Sequence, residues 1–295
     1  MAAIGAFDDE RVLEVLDRAP VLYSAVDSGR GVHTTPTAFS WSGGAFWFVA
    51  PRRSVKVRAL RSRPRVGLLL RSRQYDLVAT GRASMVDPLD GRGVANLDRL
   101  IDLPFFAAGY LGRNSKHIAG ILRDADLTPN LLLDRTAVRI RPRRLALLRG
   151  HRVLASWGDW TGLDLVGDHV PAPLEVDASA LPVAVRSLVR EAGPGCLGWP
   201  SVHGPTALPL RWPGSGGIPE TSAELMALVS AYPSGRAALA VSTGGFRLAT
   251  KRGVMIRGDG EVAAEGQRAL IGLAARRITY WQGEHSATLD LVPTA

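Results

Sequence analysis

The chain has a single cysteine, Cys196, in 295 residues, which excludes an internal disulfide and any zinc site built on cysteines. It lies in Gly193-Pro194-Gly195-Cys196-Leu197, with no His or Lys nearby in sequence to activate it, and reads as a buried, inert thiol. No apolar run approaches the ~20 residues that span a bilayer. Met1 to Glu10 carries an early acidic pair and no basic stretch leading into an apolar one, so a soluble cytoplasmic protein is expected. Lysine is scarce too: Lys56, Lys116 and Lys251 are the only lysines among 36 basic residues. So strong an arginine excess reflects genome composition more than function, and a pI near 10.5 does not by itself imply nucleic-acid binding. The six histidines form no i, i+4 pair with a carboxylate partner, so no metal site is expected, and there is no Ser/His/Asp nucleophile elbow. Pro213-Gly214-Ser215-Gly216-Gly217 lacks the Gly-Lys-Ser/Thr that would make it a phosphate-binding P-loop.

What is present is a globular composition, 46% hydrophobic and 21% charged, at a length that suits two domains of ~100–150 residues. Apolar spacing predicts an opening helix over Asp9–Ala19, capped by Asp8 or Asp9 and ended by Pro20. Strands follow over Val21–Asp27, Val32–Trp41 and Ala45–Ala50, with glycine turns between them. A short helix over Ser54–Ser62 has Ser54 as its N-cap and stops before Pro64. Val66–Leu70 and Asp76–Asp87 read as a further antiparallel pair, Pro88–Asp126 as mixed and helical, and Thr136–Ile140 with Leu145–Leu148 as a closing strand broken at Pro142. Consecutive short strands with one intervening helix imply a small antiparallel barrel.

Residues 151–176 read as an ordered connector, in which Trp157 and Trp160 are candidates to cover a pocket. Beyond it the pattern returns: a helix over Val183–Glu191, strands over Gly195–Val202 and Thr206–Trp212, and a helix over Thr221–Ala231 whose Thr221-x-x-Glu224 resembles a capping box. Ala79–Val86 matches Ala249–Ile256 and Arg65–Leu70 matches Arg236–Val241, which suggests an internal duplication. The expected organisation is a first barrel over 1–150, the connector over 151–176, and a degenerate second copy over 177–295. The fold class is mainly β with flanking helices, as two tandem antiparallel split barrels.

From Arg52 to Arg73 there are nine basic residues and no Asp or Glu, a local surplus equal to the net charge of +9. Such a concentration asks for a localised anion. Ala50-Pro51-Arg52-Arg53-Ser54-Val55-Lys56 offers arginine forks, a lysine point charge, a hydroxyl and the N–H groups of a helix start, the donors that hold a phosphate. Its counterpart in the second half, between Trp212 and Gly235, has no Lys or Arg.

Three elements, Ser54-Val55-Lys56, Arg63-Pro64-Arg65 and Gly81-Arg82-Ala83, set among the strands from Ala45 to Leu70 and Leu77 to Asp87, resemble the pyridoxamine 5'-phosphate oxidase-like, FMN-binding split-barrel superfamily. The likeness covers residues 9 to 150, with a faded copy in the second half. It implies that Ser54 and Lys56 bind a flavin phosphate, with Arg53 or Arg58 standing in for the arginine that the family often has where this chain has Val55. It also implies that Thr34, Thr35, Pro36, Thr37, Ala38 and Phe39 line the ring and ribityl chain, and that Asp76 stands where some members have a ring-contacting glutamine. The implied function is an FMN- or deazaflavin-dependent oxidoreductase acting on a small molecule, with no catalytic side chain named. His33, just before the ring-facing strand, is the one histidine placed for acid chemistry. The alternative is a non-catalytic protein binding haem, another tetrapyrrole or a small effector on the same barrel. Nucleic acid and membrane are not expected partners. Family members hold the cofactor at a two-fold interface, so either an intrachain pseudo-dimer or a homodimer is implied.

Overall fold

The computed structural model describes residues 4–86, 109–110, 112–115, 134–164, 169–243, 251–283 and 285–291. The first half opens with α1 (Glu10–Arg18), whose N-cap Asp9 accepts from the Arg11 N–H. Next come β1 (Leu22–Asp27), β2 (Val32–Thr37), β3 (Ser40–Ser42), β4 (Ala45–Pro51), α2 (Val55–Ser62), β5 (Arg65–Arg71) and β6 (Asp76–Val86), then β7 (Arg135–Arg149) and β8 (Arg152–Trp157). The second half holds α3 (Val183–Arg190), β9 (Gly193–Ser201), β10 (Gly204–Trp212), β11 (Glu220–Ser222), α4 (Ala223–Leu228), β12 (Ser234–Thr243), β13 (Arg252–Glu265), β14 (Arg268–Gln282) and β15 (His285–Asp290). Most of the segment expected to be helical over 88–126 lies outside the described residues.

Both sheets are antiparallel and follow one plan. The first runs β2-β1-β5-β6-β7-β4-β3, with β8 on β7; the second runs β11-β10-β9-β12-β13-β14-β15. Thus β10, β9, β12, β13 and β14 stand in the order of β2, β1, β5, β6 and β7, and β11 pairs with β14 as β4 pairs with β7. The second sheet also closes on itself, because β11 meets β10 at Glu220 and Arg211. Register fixes the correspondence residue by residue. Gly81 and Gly258 each follow a bulge and each lie opposite the residue after an arginine, Arg65 and Arg236.

Each strand of the first sheet uses both faces. Leu22, Val26, Val66, Leu68 and Leu70 point into the first core with Phe46, Phe48 and Leu60. Tyr23, Ala25, Leu69 and Val78 point the other way, into a core continuous with Leu197, Trp199, Leu208 and Leu239 of the second half. Burial on two faces explains the unbroken apolar run of β5. The contact is reciprocal: a Cβ on Gly31 would fall 2.7 Å from the Arg236 Cβ, and one on Gly204 2.9 Å from the Arg65 Cβ. Both glycines sit at positive φ, 111° and 108°, in equivalent hairpin turns. The two halves therefore face each other as the subunits of a two-fold dimer do, each giving the same patch.

Four expectations are corrected here. The predicted strand over Val32–Trp41 is two strands, because the chain breaks at Ala38 and Phe39, where Phe39 buries its ring and its carbonyl accepts from Asn114. The connector expected over 151–176 begins with β8, whose alternating burial marks a strand lying half-exposed on β7. The helix expected at Thr221 starts at Ala223 with Ser222 as its N-cap, and the Glu224 carboxylate accepts from the Val153 N–H. Finally, the bulges equate Gly81 with Gly258, whereas the sequence match had paired Gly81 with Lys251; the Arg65–Arg236 match stands in register.

Gly67 tests the packing of the halves. A Cβ there would lie 2.5 Å from the Thr206 Cα and 2.6 Å from the Ala207 nitrogen, backbone that cannot rotate away. Gly67→Ala is expected to destabilise the chain by about 1–3 kcal/mol, read as a lower denaturant midpoint at unchanged slope.

Candidate functional site

Ser54 caps α2 by accepting from the Val57 N–H at 3.2 Å, and this fixes the first turn so that Lys56 points inward. Lys56 is 6% exposed. Its ammonium donates to the Thr37 Oγ1 at 2.9 Å and stands 4.9 Å from the Phe48 ring centroid. Among the described residues no carboxylate pairs with it. Burial lowers its pKa to about 7, with the neighbouring Lys251 charge as the second cause. An amine placed here without an acid is costly unless an anion completes it.

The strand beneath Lys56 is two-sided. Val32, Thr34 and Pro36 are buried, while His33, Thr35 and Thr37 share the other, half-buried face. The second half crosses this strand: the Met255 sulfur accepts from the Thr34 N–H at 3.4 Å, and the Thr34 hydroxyl abuts Gly198. Lys251, just before β13, and Arg257 alternate onto the Met255 side of that strand. Burial pushes the Lys251 amine down. His33 is held at about 3, first by burial and then by the Lys56 and Arg257 charges, so the imidazole stays neutral, and its Nδ1 is enclosed without a partner. The Arg257 Nε is likewise enclosed and unbonded. Burial is the main cause that lowers Arg257, followed by repulsion from Arg277, with Asp290 opposing.

The candidate residues from the sequence divide accordingly. Thr37, Ser54 and Lys56 come together, with Thr35 on the same strand face. Thr34 and Pro36 turn toward the second half instead, and Phe39 is buried in the first core beneath Arg113, 4.3 Å above its ring. Ala38 is half-buried in the break after β2. Arg53 and Arg58 are exposed. Arg58 lies two residues beyond Lys56, roughly the opposite side of a helix of 3.6 residues per turn. The cationic partners of Lys56 come from the second half, which the local sequence around Lys56 does not disclose. The available signal was lysine scarcity, since two of the chain's three lysines meet here.

Asp76 lies elsewhere. Its carboxylate accepts from the Arg71 Nε at 2.9 Å, while Arg71 also donates to the Gly195 carbonyl at 3.0 Å. Burial raises the Asp76 pKa and Arg71 opposes it. This pair lines a cleft of about 440 Å³ with His151, Arg211, Trp212 and Glu220. The cleft belongs to the second half's counterpart of the Lys56 site. Counting from the equivalent glycines, Leu208 and Leu210 replace Thr35 and Thr37; counting from the equivalent N-caps, Glu224 replaces Lys56. The cleft's own carboxylates, Asp76 and Glu220, already pair with its Arg71 and Arg211, which leaves it unsuited to phosphate.

Trp160 is anchored by its Nε1 to the Leu145 carbonyl, and Trp157 packs on the first core, so neither covers the Lys56 group. Cys196 is buried and its thiol pKa is raised, as expected of an inert residue. Among the described residues no cluster of metal-binding side chains occurs, and no helix is long and apolar enough to cross a membrane.

No protein-family model and no curated protein matches the sequence. Solved structures do align with it. One is described as "Putative Pyridoxamine 5'-phosphate oxidase" from Listeria innocua, at 17% identity, covering 49% of this chain and 96% of that one with a TM-score of 0.30. A FAD-binding protein from Mesorhizobium loti aligns at 16% identity over 46% of this chain and 89% of its own, TM-score 0.32. A heme binding protein from Mycobacterium smegmatis aligns at 16% identity over 48% and 55%, TM-score 0.34. Each spans about half of this chain. Identities and TM-scores this low leave the functional reading to rest on the residues themselves.

The buried lysine has a measurable signature. Its amine has a folded pKa of about 7 against 10.5 when free, so between these values the unfolded chain binds more protons than the folded one. Stability of the ligand-free protein is expected to rise with pH across that window, by at most about 1.4 kcal/mol per pH unit. Lys56→Met should flatten this dependence and raise the ligand-free denaturation midpoint at pH 7. A variant less stable than the parent at that pH would show that the ammonium is satisfied within the fold.

Proposed function

We propose that the chain is a flavin-dependent oxidoreductase of the pyridoxamine 5'-phosphate oxidase-like split-barrel type, a fused duplication that holds one cofactor between its halves. The observation that carries this reading is the enclosed Lys56 ammonium, which has a hydroxyl, a ring face and a further cation around it and, among the described residues, no acid. A phosphate monoester, carrying between one and two negative charges at neutral pH, fits that donor set. Lys56, Ser54 and Thr37 would hold it, with the N–H groups of the first turn of α2. FMN is the cofactor proposed, with a deazaflavin phosphate as the near alternative; when bound, such a group supplies transfer of a hydride or electron pair.

The residues of this chain do the rest. Lys56 neutralises the phosphate and takes up a proton as the anion enters, because the anion restores the amine's ordinary affinity for a proton. The hydroxyls of Thr35 and Thr37 face the same side and offer hydrogen bonds along the ligand. The second half packs on the opposite, Thr34 face of the strand and holds its edge through Met255, which fixes where those hydroxyls stand. Since the second half already occupies the patch that a partner subunit would use, the chain is proposed to act as a pseudo-dimer, with cofactor and chain in a one-to-one ratio.

An absorbance spectrum of the purified protein, with mass analysis of any released ligand, tests the reading directly. A yellow chromophore, or saturable FMN binding at one equivalent, is expected; a Soret band would instead favour the tetrapyrrole alternative. Lys56→Ala should weaken FMN at least tenfold at pH 7. Parental FMN affinity should also fall as pH rises above 7, where the empty site's amine is neutral. Unchanged FMN affinity in the variant would overturn the site.

A further inference from the structure

The cations around β2 do not sit at one point. Lys56 bonds Thr37 at one end of the strand, and His33 stands at the other. Four residues of strand separate Thr37 from His33, about 13 Å at ~3.3 Å per residue. Met255, held on Thr34, sets β13 across the strand, with Lys251 before it and Arg257 after it. Lys251 acts on Lys56, while both Lys56 and Arg257 act on His33. A phosphate bonded at the Thr37 end would leave the donors at the other end without a hydrogen-bond partner. There the His33 Nδ1 and the Arg257 Nε are both enclosed and unbonded. Asp290, which acts on Arg257, pairs with Arg277.

We propose that this strip is a two-ended anion receptor: Lys56 and Lys251 take one anionic group at the Thr37 end, and His33 and Arg257 take a second about 13 Å away. The proposal rests on the cofactor reading only for the identity of the first anion. The second is a phosphate or carboxylate of a separate anionic substrate bound beside the first ligand, since FMN carries one phosphate and its ring end has no such group. The far-end pair suits such a group because a neutral imidazole and a guanidinium both donate, and neither brings an acid that would repel it.

A straight-chain bisphosphonate of matching span, octane-1,8-bisphosphonate, probes the strip without any flavin, measured by calorimetry against octylphosphonate. The parental chain is expected to bind the bisphosphonate at least tenfold more tightly. That advantage should vanish in Lys56→Met and in Arg257→Met and be retained in Arg257→Lys. Equal affinities for the two probes, or an advantage that survives Arg257→Met, would overturn the proposal. An advantage seen in a protein that fails to bind FMN would sink the flavin reading and leave the receptor standing. Methylphosphonate added to the FMN-saturated protein tests for that separate substrate. Binding that Arg257→Met abolishes is expected, and an FMN-saturated protein that takes up no methylphosphonate would overturn the separate-substrate assignment.

Discussion

The structure depends on the mutual burial of two sheets, each laying one hairpin strand across the other. β2 crosses β13 and β9, and β10 crosses β5, so the face of each half that would otherwise be bare becomes interior. Close approach is needed at the centre, where Gly67 admits the backbone of Thr206 and Gly198 admits Thr34. This packing brings Lys251 and Arg257, distant in sequence, against Lys56 and His33. Without it the Lys251 and Arg257 charges would not stand beside Lys56 and His33.

Much of the first half was legible in the sequence because its signals are local. Ser54 before an apolar-periodic octapeptide predicts a capped helix, glycine turns set off β1, β2 and β4, and the acid-free run pointed to Lys56. What stayed hidden was non-local. The exposed Arg53 and Arg58 cannot be told from the inward Lys56 by composition, since the side of the helix each occupies is decided by packing. Asp76 looked like a site residue from its place before Gly81, yet strand register gives it to Arg71 and the opposite cleft. The bulge after Arg257 changes the spacing of the second half, and matching by residue type slid past it. The alternation in β8 was present in the sequence, obscured by the tryptophans and glycines that follow it.

Joining the two halves in one chain also explains their inequality. In a symmetric pair of identical subunits, every substitution appears in both clefts. Here Lys56 and Glu224 stand at equivalent helix positions with opposite charge, and Thr37 faces its counterpart role in Leu210. Cations gather on one side, while the other cleft is lined by the Arg71–Asp76 and Arg211–Glu220 pairs.

The outward face of the first sheet, carrying Tyr23, Ala25, Leu69 and Val78, has a bearing on biogenesis. These residues leave the ribosome more than a hundred positions ahead of Leu197, Trp199 and Leu239, which cover them. At ordinary rates of ~5–20 residues per second, the nascent first half carries a bare greasy surface and an unpaired strand edge for many seconds. A neighbouring nascent copy offers the same complementary patch, so crowded translation of this message favours entangled swaps between chains, and holding chaperones gain an early foothold.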